Sequence, residues 1–222
     1  MNSWFDIDSV FFTAWDYNVS YLEFFGMVSG LVAVFLSALA NVYSWPLGII
    51  NVTLSFFLFY QVQLYPDMFL NVFFFVTNVL GWWRWTHPKP FEEDRKHELR
   101  ISFMKRSELI LVTFIGIAGT AALGSFAENL NNLFPSVFTK PSAAPYLDSF
   151  ITVMSVITTF YMIQKKVESW VIWLIVDILA TYLYYIRGIK LYAGLYLIYC
   201  FIAAFALWNW AREHRSYKMQ HG

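Results

Sequence analysis

The chain has 222 residues, 59% hydrophobic, 21% aromatic and 14% charged, and its 15 basic and 15 acidic side chains cancel. A soluble domain is nearer half apolar and a quarter charged, so this composition excludes an ordinary water-soluble fold and indicates an integral membrane protein. Its one cysteine, Cys200, lies in an apolar run and excludes an internal disulfide framework.

Residues 1–21 lack the basic n-region of a signal peptide. Trp4, Phe5, Phe11, Phe12 and Trp15, set among Asp6, Asp8 and Asp16, suit an interfacial segment at headgroup depth. A helix needs about 20 residues to cross the hydrocarbon core. On that ruler seven spans are predicted, at roughly 22–42, 46–63, 67–85, 107–127, 146–164, 169–186 and 191–211. The predicted organisation is an N-terminal segment (1–21), a three-helix repeat (22–85), a charged and solvated cytoplasmic linker (86–106), a linking helix (107–127), an extracytoplasmic loop (128–145), a second three-helix repeat (146–211) and a cytoplasmic tail (212–222).

The basic residues set the orientation. Arg84, Lys89, Arg95, Lys96, Arg100, Lys105 and Arg106 flank the linker, Lys165 and Lys166 precede the sixth span, and Arg212, Arg215 and Lys218 follow the seventh. Seven spans put all of these on one side and leave Lys140, Arg187 and Lys190 on the other, so the positive-inside rule places the N-terminus outside and the C-terminus in the cytoplasm.

Sliding the sequence against itself by 125 positions lays Ser44-Trp45 on Ser169-Trp170, Tyr60 on Tyr185, Leu70 on Leu195, and the "WRW" ending at Trp85 on the "WNW" ending at Trp210. An odd number of spans must separate two copies that begin on the same side, and the fourth span supplies it. The expected fold is all-α, seven transmembrane helices as 3+1+3 parallel repeats with a pseudo-two-fold axis along the membrane normal. Parallel repeats of this kind form substrate paths in transporters.

At about 100° per residue, Trp170, Trp173, Asp177, Thr181 and Tyr184 share one face of the sixth span. Polar stripes recur as Asn51 on the second span, Asn71 and Asn78 on the third, and Tyr192, Tyr196 and Tyr199 on the seventh. Small and polar residues also mediate helix packing in membranes, so for the asparagines a packing and a binding role both stand. Asp177 is different, because a carboxylate at mid-membrane costs about 2.5 to 3.5 kcal/mol on insertion scales. It is protonated, hydrogen-bonded to Thr181 or tyrosines, or faces water and a cationic substrate. Trp170 and Trp173 suit stacking on a flat cationic ring, whereas Trp82, Trp83, Trp85, Trp208 and Trp210 read as interfacial anchors. Pro46 and Gly48 are expected to kink the second span.

Other chemistry is not signalled. His87, His97, His214 and His221 lack metal-ligand spacing, no phosphate-binding Gly-rich motif occurs, and the linker mixes acids with its bases, against nucleic acid. No cofactor, metal or catalytic residue is expected.

"WPLGIINV" (Trp45 to Val52), "LYPDMFLNVFFFVTNVLGWWRW" (Leu64 to Trp85), "ESWVIWLIVDILATYLYY" (Glu168 to Tyr185) and "LYAGLYLIYCFIAAFALWNW" (Leu191 to Trp210) resemble the PnuC nicotinamide riboside transporters. The resemblance implies a bacterial inner-membrane vitamin B3 transporter of SWEET-like fold, working as a homotrimer by facilitated diffusion. Cytosolic phosphorylation would trap the substrate for NAD synthesis, with the kinase a metabolic rather than necessarily physical partner. It also maps the family's WxxW pair onto Trp170 and Trp173. The alternatives are a SWEET-like sugar or other nucleoside uniporter, and proton-coupled uptake through Asp177. The expected binding set is Asn51, Asn71, Asn78, Trp170, Trp173, Asp177, Thr181, Tyr184, Tyr196 and Tyr199.

Overall fold

The computed structural model describes residues 4–14, 17–63, 65–94, 96–133, 144–188 and 190–218. Trp15, Asp16, Arg95, Lys140 and His221, which enter the sequence reading, lie outside them. The chain divides into two compact units, Met1–Arg100 and Ile101–Gly222.

The first unit opens with a hairpin, β1 (Val10–Ala14) antiparallel to β2 (Tyr17–Ser20), with Phe12 opposite Val19. Ser20 then starts α1 (Tyr21–Ala38) through a capping box. Its hydroxyl accepts from the Glu23 N–H at 3.2 Å, and the Glu23 carboxylate accepts from the Ser20 N–H at 2.9 Å. Gln61, at the end of α2 (Ser44–Gln61), clasps the chain ahead of the hairpin. Ile7 N–H donates to its Oε1 at 2.9 Å, and its Nε2 donates to the Phe5 carbonyl at 2.6 Å. The N-terminal segment is thus a tethered hairpin that leaves Trp4, Phe5, Phe11 and Phe12 exposed.

Pro46 falls in the first turn of α2, where backbone N–H groups have no intrahelical partner, so it costs the helix no bond. Gly48 makes room for α3 (Tyr65–Thr86): a Cβ there would meet Asn78 Oδ1 at 2.1 Å. One turn further along α3, the Trp45 ring covers Gly81, where a Cβ would lie 2.4 Å from it, and stands edge-on to the fully buried Trp85 at 5.2 Å. Gly81→Ala is therefore expected to destabilise by about 1–3 kcal/mol, as overpacking does. Gly26→Ala, whose added carbon finds its nearest neighbour at 3.8 Å, should be neutral or stabilising. Thermal unfolding of the two detergent-purified variants checks the contrast.

The linker is folded rather than solvated throughout. In the first unit it makes a 3-10 turn at Pro90–Glu92, pairs Glu93 with Leu99, and buries Leu99, whose N–H donates to the Trp85 carbonyl at 3.0 Å. Burial works against ionisation of Glu92, but the Arg84 guanidinium 2.7 Å away and the Lys89 N–H hold its carboxyl below the ordinary 4.5. A carboxyl depressed on folding stabilises above its unfolded pKa, and that contribution is lost as pH falls through the folded value. Arg84→Gln should therefore lower the melting temperature at pH 7 and make little difference well below pH 4.5. Circular dichroism melts at the two pH values measure this.

In the second unit the linker continues as a strand-like segment. Ser102 N–H donates to the Lys165 carbonyl and Val167 N–H to the Ser102 carbonyl, both at 3.0 Å, while Ile101 and Met104 are buried. It leads into α4 (Arg106–Glu128), followed by a short α5 (Leu130–Leu133), α6 (Pro145–Ile163), α7 (Glu168–Ile186) and α8 (Lys190–Lys218). Gly116, Gly119 and Gly124 of α4 receive Met154, Val153 and Tyr146 of α6, the close small-residue packing that membrane helices use. Helix α8 runs on to Lys218, into the stretch expected to be the cytoplasmic tail, and His214 Nδ1 donates to the Ile101 carbonyl at 3.0 Å while its ring meets Phe103 edge-on at 4.8 Å.

The turns of the two units recur 125 residues apart. Ala40 and Lys165 both take left-handed backbone (φ 54° and 52°), as do Gln63 and Gly188 (φ 61° and 77°). Each left-handed residue closes a helix with matching bonds: Ala40 N–H to Ser37 and Asn41 N–H to Leu36, against Lys165 N–H to Met162 and Lys166 N–H to Tyr161.

Among the described residues five helices are long and apolar enough to cross a membrane: Tyr21–Ala38, Arg106–Glu128, Pro145–Ile163, Glu168–Ile186 and Tyr192–Tyr217. Helices α2 and α3 reach similar lengths, 18 and 22 residues, but Asn51, Asn71, Asn78 and indole-rich ends dilute their hydropathy.

Candidate functional site

The second unit gathers the most distinctive chemistry on the facing sides of α7 and α8. Asp177 lies in the middle of α7, only 5% exposed, with Val176 and Ala180 beside it at 1%. Spacings of four and three residues carry Thr181 and Tyr184 onto the same side of the helix. Tyr192, Tyr196, Tyr199 and Cys200 stand at similar spacing on α8.

Tyr184 and Tyr196 stack face to face, with centroids 5.2 Å apart and planes at 14°. Tyr192 flanks Tyr184 at 5.5 Å, and Tyr199 meets Tyr196 edge-on at 5.9 Å. Tyr196, Tyr199 and Cys200 lie within electrostatic reach of the Asp177 carboxylate. Thr181 Oγ donates to the Asp177 main-chain carbonyl at 2.7 Å, so the hydroxyl serves its own helix and not the carboxylate. Among the described residues no lysine or arginine pairs with Asp177. A carboxyl group sheltered beside stacked phenol rings is an arrangement suited to a flat cation, which would favour the ionised carboxylate and gain from both the charge and the ring faces.

The two tryptophans of the α7 stripe sit differently. Trp170 is 2% exposed and packs edge-on against Trp210 at 5.6 Å. Trp173 is half-buried against the apolar cluster of Met154 and Val176. The Trp170–Trp210 pair repeats the Trp45–Trp85 pair of the first unit, and in both the indole N–H of the leading tryptophan and the preceding serine hydroxyl are buried without a partner among the described residues.

In the first unit the asparagines serve the helices differently. Asn51 Nδ2 donates to the Gly26 carbonyl at 2.8 Å, tying α2 to α1. Asn78 Nδ2 donates to the Phe74 carbonyl at 2.7 Å and turns its oxygen toward Gly48. Asn71 is buried at 9% exposure. Tyr184, Tyr196, Tyr199, Thr181 and Asp177 are thus brought together in one unit, while Asn51, Asn71 and Asn78 belong to the other. Cys200, which no sequence motif marks, joins the cluster because it follows Tyr196 by one helical turn.

At the periphery of the same unit Asp148, near the start of α6, pairs with Arg187 at the end of α7, and Lys166 reaches Glu108 at 3.5 Å. No group of three or more His, Cys, Asp or Glu able to hold a metal occurs among the described residues.

A family model described as nicotinamide mononucleotide transporter matches residues 20–212. The chain is 29% identical to the nicotinamide riboside transporter PnuC of Escherichia coli (strain K12), with 92% of each covered. It is 23% identical to the riboflavin/roseoflavin transporter RibM of Streptomyces davaonensis, covering 95% of this chain and 94% of that one. A crystal structure of the vitamin B3 transporter PnuC matches with a TM-score of 0.67 at 22% identity, covering 88% of this chain and 83% of that one, a likeness of fold.

Proposed function

The chain belongs to the nicotinamide mononucleotide transporter family, and from that premise we propose that it carries nicotinamide riboside across a bacterial inner membrane by facilitated diffusion. It is a multi-pass membrane transporter and not an enzyme. The observation that carries the substrate reading is the buried Asp177 beside the Tyr184–Tyr196 stack. Nicotinamide riboside offers a flat pyridinium cation to the carboxylate and ring faces, a carboxamide, and ribose hydroxyls for amide partners.

The proposed binding set is Asp177, Thr181, Tyr184, Tyr196 and Tyr199, with Trp170 and Trp173 on the same helix and Asn51, Asn71 and Asn78 contributing from the first repeat. Trp170 would have to leave Trp210 to touch substrate, so its share in this reading goes with a conformation other than the one described. We read α1–α3 and α6–α8 as parallel three-helix repeats joined by α4, seven spans in all. The matching left-handed turns and helix-closing bonds 125 residues apart support this. The basic flanks favour an outside N-terminus and a cytoplasmic C-terminus. Alternating access and a homotrimer complete the proposal.

Calorimetric titration of the detergent-purified protein tests it. Nicotinamide riboside is expected to bind, and the phosphorylated mononucleotide to bind far more weakly, since its phosphate would meet Asp177 with no basic partner. Preferential binding of riboflavin, whose ring is uncharged, would transfer the assignment to a flavin transporter.

A further inference from the structure

A cavity elsewhere in the same unit takes no part in the arrangement above. It has a volume of about 300 Å³ and lies among α4, α6 and α7, lined by Leu109, Val112, Gly116, Ile117, Met154 and Val171, with Glu168, the first residue of α7, also in its wall. Its one hydroxyl on α4, Thr113 Oγ, donates to its own helix at the Leu109 carbonyl, 2.9 Å, so the lining offers nothing to a polar ligand along its length. All three helices are apolar enough to cross a membrane, and Ile110, Phe114 and Ile117 of α4 are strongly exposed. A groove of this composition at membrane depth is filled by hydrocarbon, not by water.

The end of the groove identifies what kind of hydrocarbon. Leu109, Val112, Gly116 and Ile117 form one stripe of α4, and the residue one turn before Leu109 on that stripe is Arg106, which opens the helix and is exposed. Lys105 precedes it. The other charges near this mouth are engaged: Lys166 Nζ donates to the Phe103 carbonyl at 3.2 Å and faces Glu108 at 3.5 Å, and the Glu168 carboxylate accepts the Met104 N–H at 2.8 Å. The Arg106 side chain makes no hydrogen bond or ion pair among the described residues. Basic pockets between membrane helices on the cytoplasmic side bind anionic head groups.

We propose that this groove is a binding site for an anionic phospholipid of the cytoplasmic leaflet, one acyl chain lying along Leu109 to Ile117 and the phosphate held by Arg106. The leaflet rests on the orientation proposed above; the groove and its charged end do not.

Native mass spectrometry of delipidated protein, titrated with phosphatidylglycerol and with phosphatidylcholine of identical chains, tests it. Phosphatidylglycerol is expected to bind on the order of tenfold more tightly, a preference that Arg106→Gln removes, as loss of one charge-assisted contact would. Val171→Phe, which fills the groove from its open side, should weaken both lipids while leaving nicotinamide riboside binding unchanged. Equal affinity for the two lipids, or a preference that survives Arg106→Gln, overturns the headgroup assignment. Lipid binding untouched by Val171→Phe overturns the groove, and if that variant instead lowers the oligomer mass, a second copy of the chain is its occupant. Inorganic phosphate is included as a competitor, and displacement of phosphatidylglycerol by it at equal concentration would reduce the site to a phosphate contact without the chain.

Discussion

Asp177→Asn is expected to lower the affinity for nicotinamide riboside by about 10- to 100-fold while leaving helical content and melting temperature intact. Two unit charges about 4 Å apart attract by about 4 kcal/mol at the effective dielectric of a protein, and desolvation of both cancels part of that gain. Hydrogen bonds to charged groups retain about 1.5–3 kcal/mol net, which sets the range. Asparagine matches the carboxylate in shape and fills the same 5%-exposed niche. Removing an ionisable group from mid-membrane also relieves an insertion cost, so the substitution should not lower the melting temperature. The discriminating control is the reduced nucleoside, whose dihydropyridine ring is uncharged. Its affinity should change by less than about threefold on the same substitution. Equal losses for both ligands would show that Asp177 acts through the shape of the site and not as a counter-charge.

Alanine at Trp85 or Trp210 is expected to destabilise by about 3–5 kcal/mol, the cost of deleting a buried large aromatic. Alanine at Trp83 or Trp208, two residues earlier in the same motifs, should cost under about 1 kcal/mol. All four read identically in sequence as aromatic-belt residues. The structure separates them: Trp85 and Trp210 are 0% exposed, each edge-on to the tryptophan that opens the preceding helix, while Trp83 and Trp208 are 59% and 57% exposed. Urea or thermal unfolding of the four purified variants measures the contrast. A uniform effect across the set would return all of them to the interface.

Those tryptophans show where sequence is informative and where it stops. Helix existence is legible because long apolar runs have few alternatives in a membrane, and every predicted span coincides with a helix. Periodicity also placed Asp177, Thr181 and Tyr184 on one face and Tyr192, Tyr196 and Tyr199 on another. That the faces meet, as the 5.2 Å stack shows, depends on α7 and α8 being joined by a tight left-handed turn at Gly188, which periodicity does not encode. The same limit hid the partner of each tryptophan and the role of Gly81, since a missing Cβ gives no signal until a neighbouring ring is known to cover it.

The linker conceals its structure for a different reason. Its charges suggested solvent, but the alternation of Leu99 and Ile101 with Arg100 and Ser102 is a short strand-like pattern within a charged stretch, and its partners, Trp85 in one unit and Lys165 in the other, are distant in sequence. The N-terminal hairpin was likewise masked by aromatic density, although Ser20 and Glu23 form a recognisable capping box.

The measurement that tests the account most directly is uptake of labelled nicotinamide riboside into liposomes holding the purified protein and no ion gradient. The account predicts saturable entry that stops at equal concentrations on both sides, is unaffected by an imposed pH gradient, and falls sharply with Asp177→Asn. Entry that accumulates substrate against its gradient when the outside is acidified, or no entry beyond that of empty liposomes, would contradict it.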